Sequence, residues 1–303
     1  MSYTNFGGHA VVTGAATGIG RETANALAQA GVDGIIFADL NLEGATTAAE
    51  ESKAIATSPQ YQAIPCRLDV SDSDSVQNMV DLALKHFGRI DYSVNSAGIT
   101  SMKNDKVPDL DILEYDKLHA VLARGTALVT RAVSKVMINQ TERVIAYRNG
   151  PKNLGRGVIV NVASAFSLLG GIGRLPYISA KHAVMGIVKA SAMELAAHNI
   201  RVNGICPTWV TTPMVVSKTS FGSSADFLKV ANALSVRPEL ASLAKANPMR
   251  RPAKTEEVAD AIVFLCGPGA TYITASEMIV DGGLLVASPG SWPQSDPDSN
   301  QAI

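Results

Sequence analysis

Short apolar runs alternate with longer stretches of helical spacing along most of this chain. His9–Thr13, Gly34–Asp39, Gln62–Leu68, Asp91–Asn95, Val158–Val162, Ile200–Cys206 and Glu277–Val280 have the length and apolar content of strands. Between them, Arg21–Ala30 places Ala24, Leu27 and Ala28 at helical spacing. Asp72–Phe87 lines up Val76, Met79, Val80, Ala83 and Leu84 behind the cap residues Ser71 and Asp72. Leu42–Thr57 is rich in Ala and Glu and reads as a helix. Leu110–Asn139 reads as one long helical stretch or two helices, and Thr255–Cys266 as another helix. Pro176–His198 carries its proline at the start, where the missing N–H costs nothing. Strands that are apolar throughout must be covered on both faces. The alternation therefore predicts an α/β fold: a doubly wound parallel sheet of about seven strands, helices on both faces, in a single domain.

Three segments break the pattern. Gln140–Arg156 is polar and basic, with Arg143, Arg148, Lys152 and Arg156, and is expected to be a solvated loop. Pro213–Pro252 holds apolar residues with no strand partner and is expected to form an inserted helical flap. Ala287–Ile303 carries three prolines and four serines and is expected to be a loose tail, disordered or draped over a partner subunit. The expected organisation is one domain over 1–286, with the flap at 213–252, and a tail at 287–303.

Composition narrows the class. Of 303 residues, 47% are apolar and 17% charged, which excludes a disordered chain. Twenty-six basic residues against 27 acidic ones remove the positive field of a dedicated nucleic-acid binder. No uncharged run reaches the roughly 20 mainly apolar residues of a membrane span. Met1–Gly8 lacks a basic and an apolar leader region, so a cytoplasmic location is expected. Cys66, Cys206 and Cys266 are isolated, as reduced buried thiols would be, and no metal site is expected.

The first candidate chemistry lies between the first strand and the first helix. Thr13–Gly20 reads TGAATGIG, and glycines there let backbone N–H groups approach a pyrophosphate at a helix N-terminus. Asp39 ends the second strand and can accept hydrogen bonds from ribose hydroxyls, while its charge would repel a 2′-phosphate. With no Arg or Lys in Ala15–Thr17 or directly after Asp39, NAD is favoured over NADP.

The second lies at the start of the helix after Val158–Val162. Tyr177 and Lys181 are four apart and share a face. An ammonium beside a phenol favours the phenolate, so Tyr177 is expected to have a lowered pKa and to act as a general acid/base. Ser164, 13 residues earlier, offers a hydroxyl to a carbonyl or alkoxide oxygen.

Together these pieces resemble the short-chain dehydrogenase/reductase family in its ordinary-length, Rossmann-like branch. Further matching pieces are Asp69-Val70, Asn95–Gly98 (NSAG), Asn161–Ser164, Pro207–Met214 and Asp281–Gly283, in the family's order over about residues 8–286. The resemblance implies a cofactor held by Gly14, Thr17, Gly18, Ile19, Gly20 and Asp39, with Asp69 and Val70 flanking the adenine. Asn95, Ala97 and Gly98 would lie near the cofactor. Pro207, Val210 and Thr212 would border the nicotinamide. Ser164, Tyr177 and Lys181 would be catalytic, with Lys181 also on the nicotinamide ribose. Hydride would pass between nicotinamide and the carbon of a secondary alcohol or ketone.

The chain also departs from the family. Leu122 stands where a catalytic Asn is usual, Thr208 follows Pro207 where Gly is frequent, and Ala275 replaces a common Gly. Leu122 leaves two alternatives to redox turnover open: a non-redox isomerase or cyclase on the same scaffold, and an NAD-binding sensor. His119, one turn before Leu122, is able to reach the same face, although a surface role is the expectation. Trp209, the loop Phe166–Leu175 and the apolar residues of the flap suggest a lipophilic small-molecule substrate. The resemblance implies a homo-oligomer, a dimer or tetramer, and apolar residues beyond one stripe on Leu118–Met137 and Val184–Leu195 are consistent with it.

Overall fold

The computed structural model describes residues 7–100, 103–212 and 247–286. Most of the flap at 213–252 and the whole tail at 287–303 lie outside the described residues.

The predicted strands are β1 (His9–Thr13), β2 (Gly34–Asp39), β3 (Gln62–Arg67), β4 (Tyr92–Asn95), β7 (Gly157–Val162), β8 (Ile200–Pro207) and β9 (Glu277–Val280). They form one seven-stranded sheet in the order β3-β2-β1-β4-β7-β8-β9. Every pairing in it is parallel. Alternate residues of each strand feed two cores. On one face Val12, Phe37 and Val94 pack with Ala24 and Leu27 of α1 (Gly18–Gln29), Ala48 of α2 (Leu42–Ser52) and Ile262 of α7 (Thr255–Cys266). On the other, Val11, Ile36 and Ile159 pack with Met79 of α3 (Ser73–Phe87), Val133 of α5 (Gly125–Asn139) and Val188 of α6 (Leu175–Leu195). Strands buried on both faces, with alternate residues going to opposite cores, are what a two-sided α/β core requires.

The chain order reverses between β1 and β4, so their carboxyl ends open a crevice where ligands of such sheets bind. The stretch read as Leu110–Asn139 is α4 (Ile112–His119), a single π-helical turn at Ala120–Arg124, and α5. The π turn falls on Leu122, a placement common at functional sites.

The segment 140–156 is not the expected loop. It forms an antiparallel hairpin of β5 (Arg143–Tyr147) and β6 (Gly150–Gly155). Arg143 anchors it through its Nη1, which donates to the Tyr92 hydroxyl at 2.7 Å. Glu142 accepts from Asn153 and Asn199. Gly155, at φ +83°, lies where a Cβ would sit 2.2 Å from the Asn199 carbonyl, so no other residue fits.

Ala275 holds φ +58°, the left-handed region that its position's usual glycine enters freely. Its N–H donates to the Val202 carbonyl at 2.8 Å, which keeps it there. Ala275→Gly is expected to stabilise the protein by about 0.5–1 kcal/mol, the steric relief less the added freedom of the unfolded chain. A thermal melt checks this, and a lowered Tm counts against it.

Candidate active site

The site starts at the carboxyl end of β1. Thr13 Oγ1 accepts from the N–H groups of Ser96 and Ala97, both at 3.1 Å, and so ties the glycine turn to the loop after β4. Gly14 has φ +70°, and a Cβ there would lie 2.8 Å from the Ala97 backbone. A Cβ on Gly20 would lie 2.2 Å from the Gly14 carbonyl. Both glycines are therefore demanded by close backbone approach. α1 begins without a side-chain cap on Thr17 and without an acid in its first turn. Its leading N–H groups thus face the crevice with their partial positive charge unanswered, the arrangement that receives a phosphate.

Asp39 closes the far end. Its Oδ2 accepts from Ala16 N–H at 3.0 Å and its Oδ1 from Asn41 N–H at 2.9 Å, so the carboxylate is fixed at the rim. Asp69 accepts from both the backbone and the hydroxyl of Ser71, which hold its carboxyl below the usual range.

Ser164 caps a short turn after β7, and its Oγ accepts from Phe166 N–H at 3.2 Å. The Tyr177 hydroxyl meets the Ser164 side chain. Lys181 is 6% exposed, places Nζ 5.8 Å from the Tyr177 ring centroid and donates to the Val162 carbonyl at 2.8 Å.

The expected lowering of the Tyr177 pKa is not what the structure gives. Burial raises it, and the Ser164 hydrogen bond and the Arg174 charge only partly oppose that. Burial also pushes Lys181 down to about 8. Spacing on a helix shows which groups meet, but the loss of water around them dominates here.

These groups line one cleft of about 600 Å³. Gly14, Thr17, Gly18, Ile19 and Asp39 stand along one part, and Asp69, Val70, Ala97 and Gly98 along its flank. Ser164, Tyr177, Lys181, Pro207, Val210 and Thr212 line the same cleft, Thr212 close to Gly18, where a Cβ would lie 3.4 Å from its Cγ2. Two predicted residues do not face the cleft. Gly20 supports the turn from behind. Asn95 is buried in a network with Ser93, Thr130 and Asn161, where its Nδ2 donates to Asn161 Oδ1 at 2.6 Å. The cleft is also lined by Leu122, at the position where the family's Asn is usual, and by Leu40, Asn41, Ile99 and Val121, which the motifs do not single out.

His119 does not serve the cleft. Its Nε2 pairs with Ser179 Oγ at 2.8 Å, and its ring stacks on Tyr115 with centroids 4.2 Å apart. Beside Tyr177, the Phe166 ring stands edge-on to both Tyr177 and Trp209, each at 6.3 Å and 88°. Among the described residues no group of His, Cys, Asp and Glu is placed to hold a metal ion, and no helix is long and apolar enough to cross a membrane.

The glycine turn, the free helix N-terminus and the rim carboxylate fit a dinucleotide. Comparison with known proteins gives the family. A family model described as enoyl-(acyl carrier protein) reductase matches residues 14–285. The short-chain dehydrogenase anuF of Penicillium roqueforti is 42% identical over 277 residues, covering 91% of this chain and 95% of that protein. The short-chain dehydrogenase srdC of Neurospora crassa is 40% identical over 282 residues, 93% of this chain and 98% of that protein. A (+)-cis,trans-nepetalactol synthase of Nepeta racemosa is 31% identical, covering 91% and 90%. The crystal structure of levodione reductase superposes with a TM-score of 0.76 at 31% identity, covering 92% of this chain and 98% of the other. The chain belongs to the short-chain dehydrogenase/reductase family, whose members are NAD(P)-using oxidoreductases in general.

Proposed function

We propose that this protein interconverts a secondary alcohol and a ketone on a lipophilic small molecule, with NAD(H) as cofactor and Tyr177 as general acid/base. One observation carries the reading: Ser164, Tyr177 and Lys181 line the same cleft as the glycine turn and Asp39. The bound dinucleotide supplies the hydride acceptor or donor. The protein's part is orientation and proton transfer. The N-terminus of α1 holds the pyrophosphate and Asp39 the adenosine ribose. Ser164 donates to the reacting oxygen, and Tyr177 takes or gives its proton. Lys181 holds the nicotinamide ribose and supports the Tyr177 phenolate. Phe166, Trp209, Ile99 and Leu122 offer apolar surface near the reacting end, which favours an uncharged substrate. Two or more copies assembling through α5 and α6 belong to the same proposal.

A panel of secondary alcohols and ketones with NAD(H) and NADP(H) tests it. Turnover with NAD is the expected result, and no turnover with either cofactor rejects the oxidoreductase reading. The nepetalactol synthase relatives, with Leu122 at the active turn, favour a non-redox cyclase as the second reading. Product formation without net change in NADH would select it.

Asp39 is the determinant of cofactor choice in this proposal. Asp39→Ser removes the charge facing a 2′-phosphate and is expected to raise the NADP-to-NAD ratio of kcat/KM by about tenfold or more, a change of ~1.4 kcal/mol. An unchanged ratio assigns the preference elsewhere.

A further inference from the structure

Tyr177 exchanges a proton with solvent in every turnover of the proposed reaction, and the groups around it leave few routes. Its hydroxyl meets Ser164, and Arg174 faces it as a charge. A guanidinium has no lone pair free for a proton, so Arg174 is not a relay. Among the described residues the Val162 carbonyl is the one hydrogen-bond acceptor of Lys181 Nζ. On β8, Cys206 is fully buried against Met185 Sδ at 3.9 Å, and burial pushes its thiol up to about 11. In the nearby buried network, Asn95 Oδ1 accepts from Ser93 and Asn161 Oδ1 from Asn95. The unpaired atom there is Asn161 Nδ2, a donor that takes no proton from an ammonium.

The side toward α4 and α5 is closed by Leu122. It is 1% exposed and packs with Leu118, Ala180, Ile99 and Tyr177 as a small core of its own. Its Cδ2 comes within 3.2 Å of where a Cβ on Gly98 would stand, so it fills the space up to the loop after β4. Its carbonyl accepts the Thr126 hydroxyl at 2.6 Å. Its side chain has no group that could pass on the Lys181 proton, and its carbonyl already accepts one hydrogen bond. His119, the titratable group of the adjacent turn, is engaged with Ser179.

We infer that Leu122 seals the Tyr177–Lys181 pair on its helix side, so that the catalytic proton travels only through the mouth of the cleft and is held while the cleft is filled. The inference rests on the proposed reaction. In the oxidising direction the carbinol C–H bond breaks and its hydride goes to the oxidised nicotinamide dinucleotide. The O–H proton goes to the Tyr177 phenolate oxygen as the C=O bond forms. That proton stays on the Tyr177–Lys181 pair until the reduced dinucleotide leaves. Excluding water in this way also prevents proton leakage.

One experiment needs no turnover. After a rapid upward pH jump, tyrosinate absorbance is followed with and without saturating NADH, and the Tyr177→Phe trace is subtracted. Ionisation of Tyr177 is expected to be slowed by about tenfold or more with NADH in the cleft. In Leu122→Asn and in Leu122→Ala the two rates are expected to converge, and either variant suffices if the other does not fold. Equal rates in the unmodified protein, or slowing that persists in the variants, overturn the inference. Failure of NADH to bind overturns both this inference and the proposed function.

The second arm mixes enzyme and NAD⁺ with 1-phenylethanol in weakly buffered pH indicator. Proton release is expected to track departure of NADH, and in Leu122→Ala to track its formation. Release that tracks formation in the unmodified protein overturns the inference. If no NADH forms while the pH-jump result holds, the seal stands and the failure is that of the oxidoreductase reading for this alcohol.

Discussion

Tyr177→Phe is expected to lower turnover by about 10²–10⁴-fold while NADH binding, read from its fluorescence, stays largely intact. The substitution removes one oxygen from the reacting end and leaves the ring in place. Its edge-on contact with Phe166 and its packing against Leu122 are kept, so the fold has no reason to yield. Ser164 retains its own geometry through Phe166 N–H and Ser167. The remaining activity would come from positioning alone. The same tyrosine sets the pH dependence. Alcohol oxidation needs its deprotonated form and ketone reduction its protonated form. Because burial holds Tyr177 above its ordinary value, the oxidising rate is expected to climb with pH through neutrality and beyond, while reduction stays level or falls. An oxidation rate independent of pH would remove Tyr177 from the proton-transfer step, as would full activity in the phenylalanine variant.

The residues that were legible in advance are those whose role is local or repeated. β1, β2 and β4 are buried on both faces, so their apolar runs name them without ambiguity. The glycine turn and the Tyr177–Lys181 spacing are short-range geometry, and the structure brings both to one cleft. The hairpin at 143–155 was not legible by hydrophobicity, since Arg143, Ile145 and Tyr147 are half-buried beside exposed Val144 and Ala146. Its signal was chemical: Gly150, at φ +105°, follows the turn residues Arg148 and Asn149 and pairs with Tyr147, a conformation that glycine enters freely. The sign of the Tyr177 shift was not legible either. It depends on how much water the surrounding elements remove, a sum over distant segments that spacing does not contain. For the same reason the motif left out Leu40, Ile99 and Val121, which reach the cleft only because of where their strands and turns end.

Asp91→Asn is expected to destabilise the fold by about 2–4 kcal/mol, because it takes from two guanidinium groups in a partly buried site a charge that balances both. Asp91 is 2% exposed at the entry to β4. It accepts from His9 N–H at 2.9 Å and from Arg89 Nε at 2.9 Å, and Arg143 Nε stands 3.8 Å away. Burial alone would raise its carboxyl, yet the His9 side chain and the two guanidinium groups outweigh that and hold it below the usual range. A depressed folded-state pKa means that the stabilisation is present above the unfolded value near 4 and fades as pH falls through the folded one. The stability gap between the two proteins in denaturant titration should therefore be wide at neutral pH and close as the solution becomes acidic. A gap that stays constant down to acid pH would mean that Asp91 acts by shape and not by charge. Activity per folded molecule should not change, since β4 separates Asp91 from the cleft end at Asn95 by about 13 Å. Arg143 belongs to the hairpin and Asp91 to the sheet, so pairing Asp91→Asn with Arg143→Met measures how the hairpin is held. Coupling of roughly 1 kcal/mol or more would make this charge its anchor, whereas additive losses would assign the anchoring to Glu142, Asn153 and the close approach of Gly155 to Asn199.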